Sequence, residues 1–393
     1  MKSVVFLVIN SLYGGGAEHV ASRLSQEWVK HYDLKVISLQ PLSDSDYNFS
    51  GEKISLSSLV RRKLWLSRIR EYSRLLDKLA DDYKPFTIVS FLQNSNLAVS
   101  MMHYKCIKIV SVRNYLPRLH KGIKRYFWRF LIWRYYGRVQ YVVSVSELIN
   151  VSMYTTYGVD KNKCRCIYNP YDIENIIALS QMALDKKATD FYSKHSVLSN
   201  MGNLSTAKGQ FHLIRILNEL KKEIPTVGLV ILGKDKGLLD KLQGLVKAYG
   251  LTDSVLFAGH HDNPYKYISK SKCFVFPSLW EGFPNALVEA MLCKVPVVSS
   301  DCKSGPREIL EPSSDVSYGV LLEDDTVSWL NADVPLTITE KKYVQKIKEI
   351  LRDNAYQSEL SLKAFERATD FSMEKIVADW YKLIDSYNCI SKQ

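Results

Sequence analysis

Apolar and β-branched residues in this chain gather in short β-rich runs, separated by longer stretches where apolar residues recur every three or four positions. The first block, "VVFLVI" within residues 3–10, is apolar throughout. A run without a polar face suits a strand of a parallel sheet covered on both sides. Similar blocks follow at 35–39, 86–92, 106–112, 140–145 and 164–168, with helical periodicity at 17–31, 62–82 and 118–136. From Tyr171 to about Lys194 strand signals are weak. Alternation resumes with "SVLSNMG", a helix from Gly209, "VGLVILG", a helix at 237–249, "SVLFAG", "CFVFP", a helix at 284–293, "PVVSS" and "GVLL". Residues 337–390 read as helix only. Two alternating series predict two doubly wound α/β domains facing across a cleft. The expected domains are 1–172 and 173–372, with a C-terminal helix at about 373–393 packing back on the first.

The length of 393 residues accommodates two large cores, and 46% hydrophobic with 24% charged residues is an ordinary globular composition. No run reaches the roughly 18 apolar residues of a membrane span. "MKSVVFLVINSL" lacks a following cleavage site and reads as a buried first strand rather than a signal peptide. Seven cysteines, at 106, 164, 166, 273, 293, 302 and 389, show no metal-ligand spacing. They read as reduced thiols of a cytosolic protein without a zinc site.

Charge changes the picture more. The net charge is +12, and between Tyr83 and Ser146 there is no Asp or Glu against eleven Lys and Arg. The segment "RNYLPRLHKGIKRYFWRFLIWRYYGR", 113–138, interleaves eight of these cations with aromatic rings. That mixture suits a membrane interface, with rings at headgroup depth and cations on anionic lipid. Arg118, Lys121, Lys124, Arg125, Trp128, Arg129 and Trp133 are the candidate contacts. The alternatives are core aromatics under a solvated basic face, or nucleic acid, for which no binding motif accompanies the charge.

Three loops carry candidate chemistry. In "FVFPSLWEGFPNALVEAM" a strand ends near Pro277 and Glu281 lies in the loop beyond it, where doubly wound sheets bind ligands. Pro284 suits the first position of a helix, whose N–H groups at 285–287 would then suit a phosphate. Glu289, inside the helix, would repel that phosphate and is expected to face a neutral diol such as a ribose. The plainer reading is a surface and a capping glutamate. In "MGNLSTAKGQ", Gly202 permits close backbone approach and Lys208 is either a phosphate clamp or a solvated lysine. In "NSLYGGGAEHV" the G-x-G-x-x-G pattern is absent, because His19 stands where the third glycine would fall. That loop either brings amides to a pyrophosphate or simply turns tightly.

Taken together, "GGGAEHV", "GNLSTAKGQ" and "SLWEGFPNALVEA", in this order, resemble the retaining glycosyltransferases of family four, which have the GT-B architecture. "VSSDCKSGPREIL", 298–310, is similar to the family's bacterial members that build surface polysaccharides. The resemblance implies a UDP-sugar donor, a lipid-linked acceptor, no cofactor and no metal. It places Glu281 at hydroxyls of the donor sugar and Glu289 at the ribose. Backbone from Gly282 through Phe283, Pro284, Asn285 and Ala286 to Leu287 would hold sugar and diphosphate. Lys208 would neutralise the diphosphate, with Gly15 and Gly16 approaching from the other domain, and base readout would lie near Gly259 and His260. Where the family often has an arginine after the first glycine, this chain has Asn203 after Gly202, which shifts electrostatic load to Lys208. Where the fold often carries a catalytic histidine, "KIVSVRNYLP" has Arg113 and Asn114, and Arg113 is the substitute candidate. Two other classes share parts of this pattern: a sugar-nucleotide epimerase of the same architecture, and a non-catalytic nucleotide-sugar binding module. The expected location is cytoplasmic, peripheral on the inner face of the cell membrane.

Overall fold

The computed structural model describes residues 2–120, 122–325, 327 and 329–386. Lys121, a candidate membrane contact, and Cys389 lie outside the described residues, as does the end of the expected C-terminal helix. The chain divides into two compact units, Met1–Pro170 with Met373–Gln393, and Tyr171–Ser372.

The first unit is built on seven parallel strands: β1 (Val4–Ile9), β2 (Asp33–Ser38), β3 (Glu52–Ser55), β4 (Thr87–Phe91), β5 (Ile107–Val112), β6 (Tyr141–Ser144) and β7 (Cys164–Cys166). Their order is β3-β2-β1-β4-β5-β6-β7. The helices are α1 (Gly16–His31), α2 (Trp65–Tyr83), α3 (Gln93–Met101), α4 (Leu116–Leu119), α5 (Ile123–Tyr136) and α6 (Glu147–Thr155). The β-rich runs become the central strands, and Val5 to Ile9 of the wholly apolar first run are completely buried. Two sequence expectations need correction. The helix read over 118–136 is broken at Gly122, whose φ of 56° and ψ of −140° leave the helical region, so α4 and α5 are separate. Strand β3 was not expected: "EKIS" has no apolar pattern, and it pairs at the sheet edge, where Glu52 accepts a hydrogen bond from Lys35 at 2.8 Å.

The second unit begins with α7 (Ile173–Ser180) and α8 (Lys186–Lys194), which fill the stretch of weak strand signal. Its six parallel strands are β8 (Ser196–Met201), β9 (Val227–Leu232), β10 (Val255–Gly259), β11 (Cys273–Phe276), β12 (Val297–Ser300) and β13 (Val320–Leu322), in the order β10-β9-β8-β11-β12-β13. The covering helices are α9 (Gln210–Leu220), α10 (Leu239–Ala248), α11 (Tyr265–Ile268), α12 (Asn285–Leu292), α13 (Pro306–Leu310), α14 (Ile338–Arg352) and α15 (Asn354–Ala368). The chain then returns to the first unit as α16 (Met373–Ile384). This last helix is strongly amphipathic. Ile376, Val377, Trp380 and Ile384 are buried, and the Trp380 ring meets Trp28 edge-on at 5.6 Å.

In each sheet the strand order reverses once, between β1 and β4 and between β8 and β11. At such a reversal the loops leaving the two strands diverge and open a crevice at their carboxyl ends. In the second unit those two loops contain Lys208 and Glu281.

Candidate active site

After β8 the backbone passes through Gly202 and reaches Lys208 in a short 3₁₀ turn, Thr206–Lys208. The lysine stem lies directly across Gly202: a Cβ there would stand 3.2 to 3.3 Å from three of its carbons. Gly209 then takes φ +63°, and a Cβ on it would stand 2.2 Å from the Pro277 carbonyl oxygen. A residue without a side chain is therefore required where the α9 loop presses on the end of β11. Gln210, which is buried, fixes the loop from below, its amide donating to the carbonyls of Gly202 at 3.3 Å and Asn203 at 3.1 Å.

The second loop is held from behind by the turn after β12. The Glu281 N–H donates to the Lys303 carbonyl at 3.1 Å, and Ser304 Oγ donates to the Gly282 carbonyl at 2.6 Å. Gly305 has φ +101°, and a Cβ there would stand 2.4 Å from Cδ of Pro284. "SDCKSGP" is thus the support of "EGFP". The result is a direct pair: Lys208 Nζ donates to Glu281 Oε1 at 2.6 Å. Both are largely shielded, with side-chain exposures of 24% and 10%, and the ammonium also lies 5.6 Å from the Phe276 ring centroid. A half-buried ammonium with one carboxylate partner keeps further donors for an anion.

Glu289 sits inside α12 and is only 7% exposed. The Tyr265 hydroxyl, on α11, donates to its Oε1 at 3.3 Å. The glycines expected near the base and phosphates form a connected row. The Gly202 N–H donates to the Leu232 carbonyl, Gly233 follows, and its N–H donates to the Gly259 carbonyl at 2.7 Å. A Cβ on Gly233 would stand 2.0 Å from the Gly202 oxygen. Gly259 and its neighbour His260 are exposed at the end of β10, and Asn203 is exposed beside Gly202.

Several expectations change. Pro284 is the residue before the helix rather than its first position, and α12 starts at Asn285. The Leu287 N–H donates to the Pro284 carbonyl at 3.0 Å and its side chain is fully buried, so it is not open to a ligand. The Phe283 ring is buried against Phe371 at 5.6 Å and anchors the loop. Asn285 Oδ1 accepts from the Tyr171 hydroxyl at 2.7 Å. Ala286 is partly exposed at the helix start.

The first unit holds the remaining candidates. Gly15 precedes α1 and Gly16 opens it, but the chain's own Glu18 folds back over this end: a Cβ on Gly15 would stand 2.9 Å from Glu18 Oε2. Burial pushes the Glu18 carboxyl above its usual value, against the opposing hydrogen bonds from its own N–H, Ser11 and the Gly15 N–H. Arg113 is buried at the end of β5. It donates to Asn169 Oδ1, and its guanidinium lies 5.5 Å from the Phe91 ring centroid. His120, not singled out from the sequence, is buried between Gln93 (3.1 Å) and Tyr157 (3.2 Å), and burial holds it down at about 4.

On the basic segment, Arg118, Lys124, Arg125 and Arg129 are exposed. Trp128 is turned inward instead, stacked on His120 at 4.7 Å and edge-on to Trp65 at 5.2 Å. The rings that stand out from α5 are Tyr126, Phe127, Phe130 and Trp133. Among the described residues no helix is long and apolar enough to cross a membrane, and no group of three or more His, Cys, Asp or Glu is placed to hold a metal ion.

Comparison with known proteins bears on this geometry. Residues 14–175 match glycosyltransferase family 4, and residues 181–361 match the glycosyl transferases of group 1. A Methanocaldococcus jannaschii protein, named only as an uncharacterized glycosyltransferase, is 30% identical over 387 residues, covering 91% of this chain and 93% of that protein. A Campylobacter jejuni enzyme is 32% identical over 256 residues, 65% of this chain and 63% of that protein; it is named N-acetylgalactosamine-N,N'-diacetylbacillosaminyl-diphospho-undecaprenol 4-alpha-N-acetylgalactosaminyltransferase. The crystal structure of Anabaena HepE in complex with UDP and glucose has the same fold, with a TM-score of 0.77 over 98% of this chain and 100% of that one at 17% identity. The two parallel sheets, the motifs along them and these similarities agree: the chain belongs to the family 4 glycosyltransferases of GT-B fold.

Proposed function

We propose that this enzyme moves a hexose or N-acetylhexosamine from a UDP-sugar, with retention of anomeric configuration, to a lipid-linked oligosaccharide in bacterial surface-glycan synthesis, such as O-antigen, capsule or exopolysaccharide. The observation that carries the reading is the meeting of Lys208 with Glu281 at the strand reversal of the second unit, with Glu289 buried in the helix that follows. The names of two similar proteins support the finer terms. The Campylobacter enzyme's name contains a diphospho-undecaprenol acceptor, and HepE was solved with UDP.

A nucleoside diphosphate is already a good leaving group, so catalysis reduces to stabilising its developing charge and orienting the acceptor. In this reading Lys208 supplies that charge, no metal ion or cofactor is needed, and Glu281 orients hydroxyls of the donor sugar while steadying Lys208. Glu289, its position fixed by Tyr265, accepts from the ribose hydroxyls. Gly202, Asn203 and the backbone of Gly282 to Ala286 line the sugar and diphosphate, Gly259 and His260 lie at the base, and Gly15, Gly16 and Arg113 are further candidates. The acceptor hydroxyl attacks the anomeric carbon on the face the diphosphate leaves. The carbon–oxygen bond to the diphosphate breaks, and a phosphate oxygen takes the acceptor proton.

We place the enzyme on the inner face of the cell membrane, through the exposed rings and cations of α5. Anionic lipid attracts such cations by about 1 kcal/mol each, screened by salt.

A panel of nucleotide sugars tests the donor. UDP-sugars are expected to raise the melting temperature, a ligand at a hundredfold its Kd adding about 2.7 kcal/mol. The transferred product is expected to keep the donor's anomeric configuration by NMR. Stabilisation by no nucleotide sugar, or an inverted product, would contradict the reading.

A further inference from the structure

The donor site of the second unit is short of positive charge. Its side chains are one ammonium, on Lys208, and two carboxylates, on Glu281 and Glu289, and the ammonium is already paired with Glu281 at 2.6 Å. A nucleoside diphosphate brings negative charge on each phosphate, and like charges repel most where water is excluded. The start of α12 offers only the partial charge of a helix N-terminus, about half a unit. A further cation is needed, and the strand register points to one.

Strands β8 and β9 stay paired beyond their ends. Met201 pairs with Leu232 and Leu204 pairs with Asp235, in one parallel register. The hydrogen bonds run on as well. The Gly202 N–H donates to the Leu232 carbonyl at 2.9 Å, the Leu204 N–H to the Lys234 carbonyl at 2.8 Å, and the Lys236 N–H to the Leu204 carbonyl at 3.2 Å. Gly202 therefore stands beside Gly233, and Asn203 beside Lys234, on chains about 4.8 Å apart.

Side chains alternate between the faces of a sheet. Leu204 is buried in one core cluster with Leu198, Leu229 and Ile231, which turns Asn203 and Lys234 to the other face. Phe276 lies on that same face, because Cys273 pairs with Leu198 and shares its cluster with Val275. The Lys208 ammonium lies 5.6 Å from the Phe276 ring centroid, and its stem crosses Gly202. Both lysines thus border the bare backbone of Gly202 and Gly233. Asp235, the acid next to Lys234, is engaged elsewhere: it accepts the N–H groups of Gly237, Leu238 and Leu239 at 2.9, 2.9 and 3.1 Å. Lys234 is exposed, and an exposed lysine needs no partner of its own. What singles it out is its place beside Asn203, where the site lacks a cation.

Resting on the donor reading above, we propose that Lys234 binds the diphosphate of the UDP-sugar and supplies, from the neighbouring strand, the positive charge that Asn203 does not.

The test uses the full chain, with isothermal titration of UDP and ligand-observed NMR of uridine. Lys234→Gln is expected to weaken UDP about tenfold, the order for one charge-assisted hydrogen bond, and uridine less than about twofold. Lys234→Arg keeps the charge and is expected to hold UDP within about threefold of the parent. Lys247→Gln removes the same charge from the exposed last turn of α10 and is expected to change UDP binding less than about twofold, since solvent and salt screen a distant surface charge. Parent-like UDP affinity in Lys234→Gln would overturn the inference and leave the donor reading intact. So would equal losses for UDP and uridine, a loss as large in Lys234→Arg, or a loss as large in Lys247→Gln. Absence of UDP binding to the parent would bring down the donor reading itself, a result distinct from these.

Discussion

Lys208→Ala is expected to lower turnover by about two orders of magnitude or more, the scale for losing one electrostatic stabiliser in a shielded site. The geometry argues for a large effect. The ammonium is three-quarters shielded, lies beside the Phe276 ring and is held by Glu281 at 2.6 Å. Its neighbour Asn203 offers no positive charge. Removing the ammonium also leaves the Glu281 carboxylate unneutralised next to the proposed diphosphate. Steady-state kinetics with saturating UDP-sugar check this. Near-parent rates would show that the leaving group is stabilised elsewhere, and Asn203→Arg in the Lys208→Ala background would then have nothing to restore. If the account holds, Asn203→Arg recovers part of the rate.

The second large effect concerns the platform beneath Lys208. Helix α9 begins immediately after the Lys208 turn, and it carries His212 and Arg215, both buried. Arg215 is fully buried and donates to both carboxylate oxygens of Glu340 on α14, at 2.8 and 3.0 Å. His212 Nδ1 lies 2.7 Å from Glu340 Oε1. Glu340 also closes the capping box of α14 with Thr337. Burial alone would raise this carboxyl. Hydrogen bonds from His212, Arg215 and the Thr337 N–H outweigh burial and hold it at about 2. Glu340→Gln strands the Arg215 charge, and breaking one partner of a buried pair costs roughly 3–5 kcal/mol. Urea unfolding is expected to show that loss, and Glu340→Leu with Arg215→Met to recover much of it. The pH dependence follows from the sign of the shift. The unfolded state binds the extra proton, so the advantage of the parent over Glu340→Gln is complete above about 4.5 and is lost as pH falls through about 2. Equal stability of the two proteins at neutral pH would contradict the account.

What was legible in the sequence follows the range of the interactions involved. Central strands such as Val4–Ile9 and Ile107–Val112 declared themselves because both faces are buried: the first has no polar position, and the second is β-branched apart from Lys108 and Ser111. Edge strand β3 did not, since its residues are exposed or half-exposed and its place depends on Lys35 from another strand. The break at Gly122 was hidden because aromatic and basic residues keep a helical rhythm through it. At the site, Lys208, Glu281 and Glu289 stood out through their glycine and proline context. Their partners did not. Lys208 meets Glu281 across 73 positions, Glu289 meets Tyr265 across 24, and Arg215 meets Glu340 across 125. No local pattern encodes such pairs: the first arises from the strand order, which puts β8 beside β11, and the other two from the packing of α12 on α11 and of α9 on α14. The backbone from Gly282 to Leu287 was read as holding the ligand; the Leu287 N–H instead donates to the Pro284 carbonyl, while the side chains of Leu287 and Phe283 anchor the loop that the motif displays.

The division of labour between the two glutamates is the most exposed part of the account, and UDP alone can probe it. Isothermal titration of UDP into the parent, Glu289→Gln and Glu281→Gln separates ribose recognition from contact with the sugar. The account predicts binding to the parent, affinity weakened about tenfold or more in Glu289→Gln, the order for losing a charge-assisted hydrogen bond, and affinity nearly unchanged in Glu281→Gln. Absence of UDP binding to the parent, or equal weakening in both variants, would contradict it.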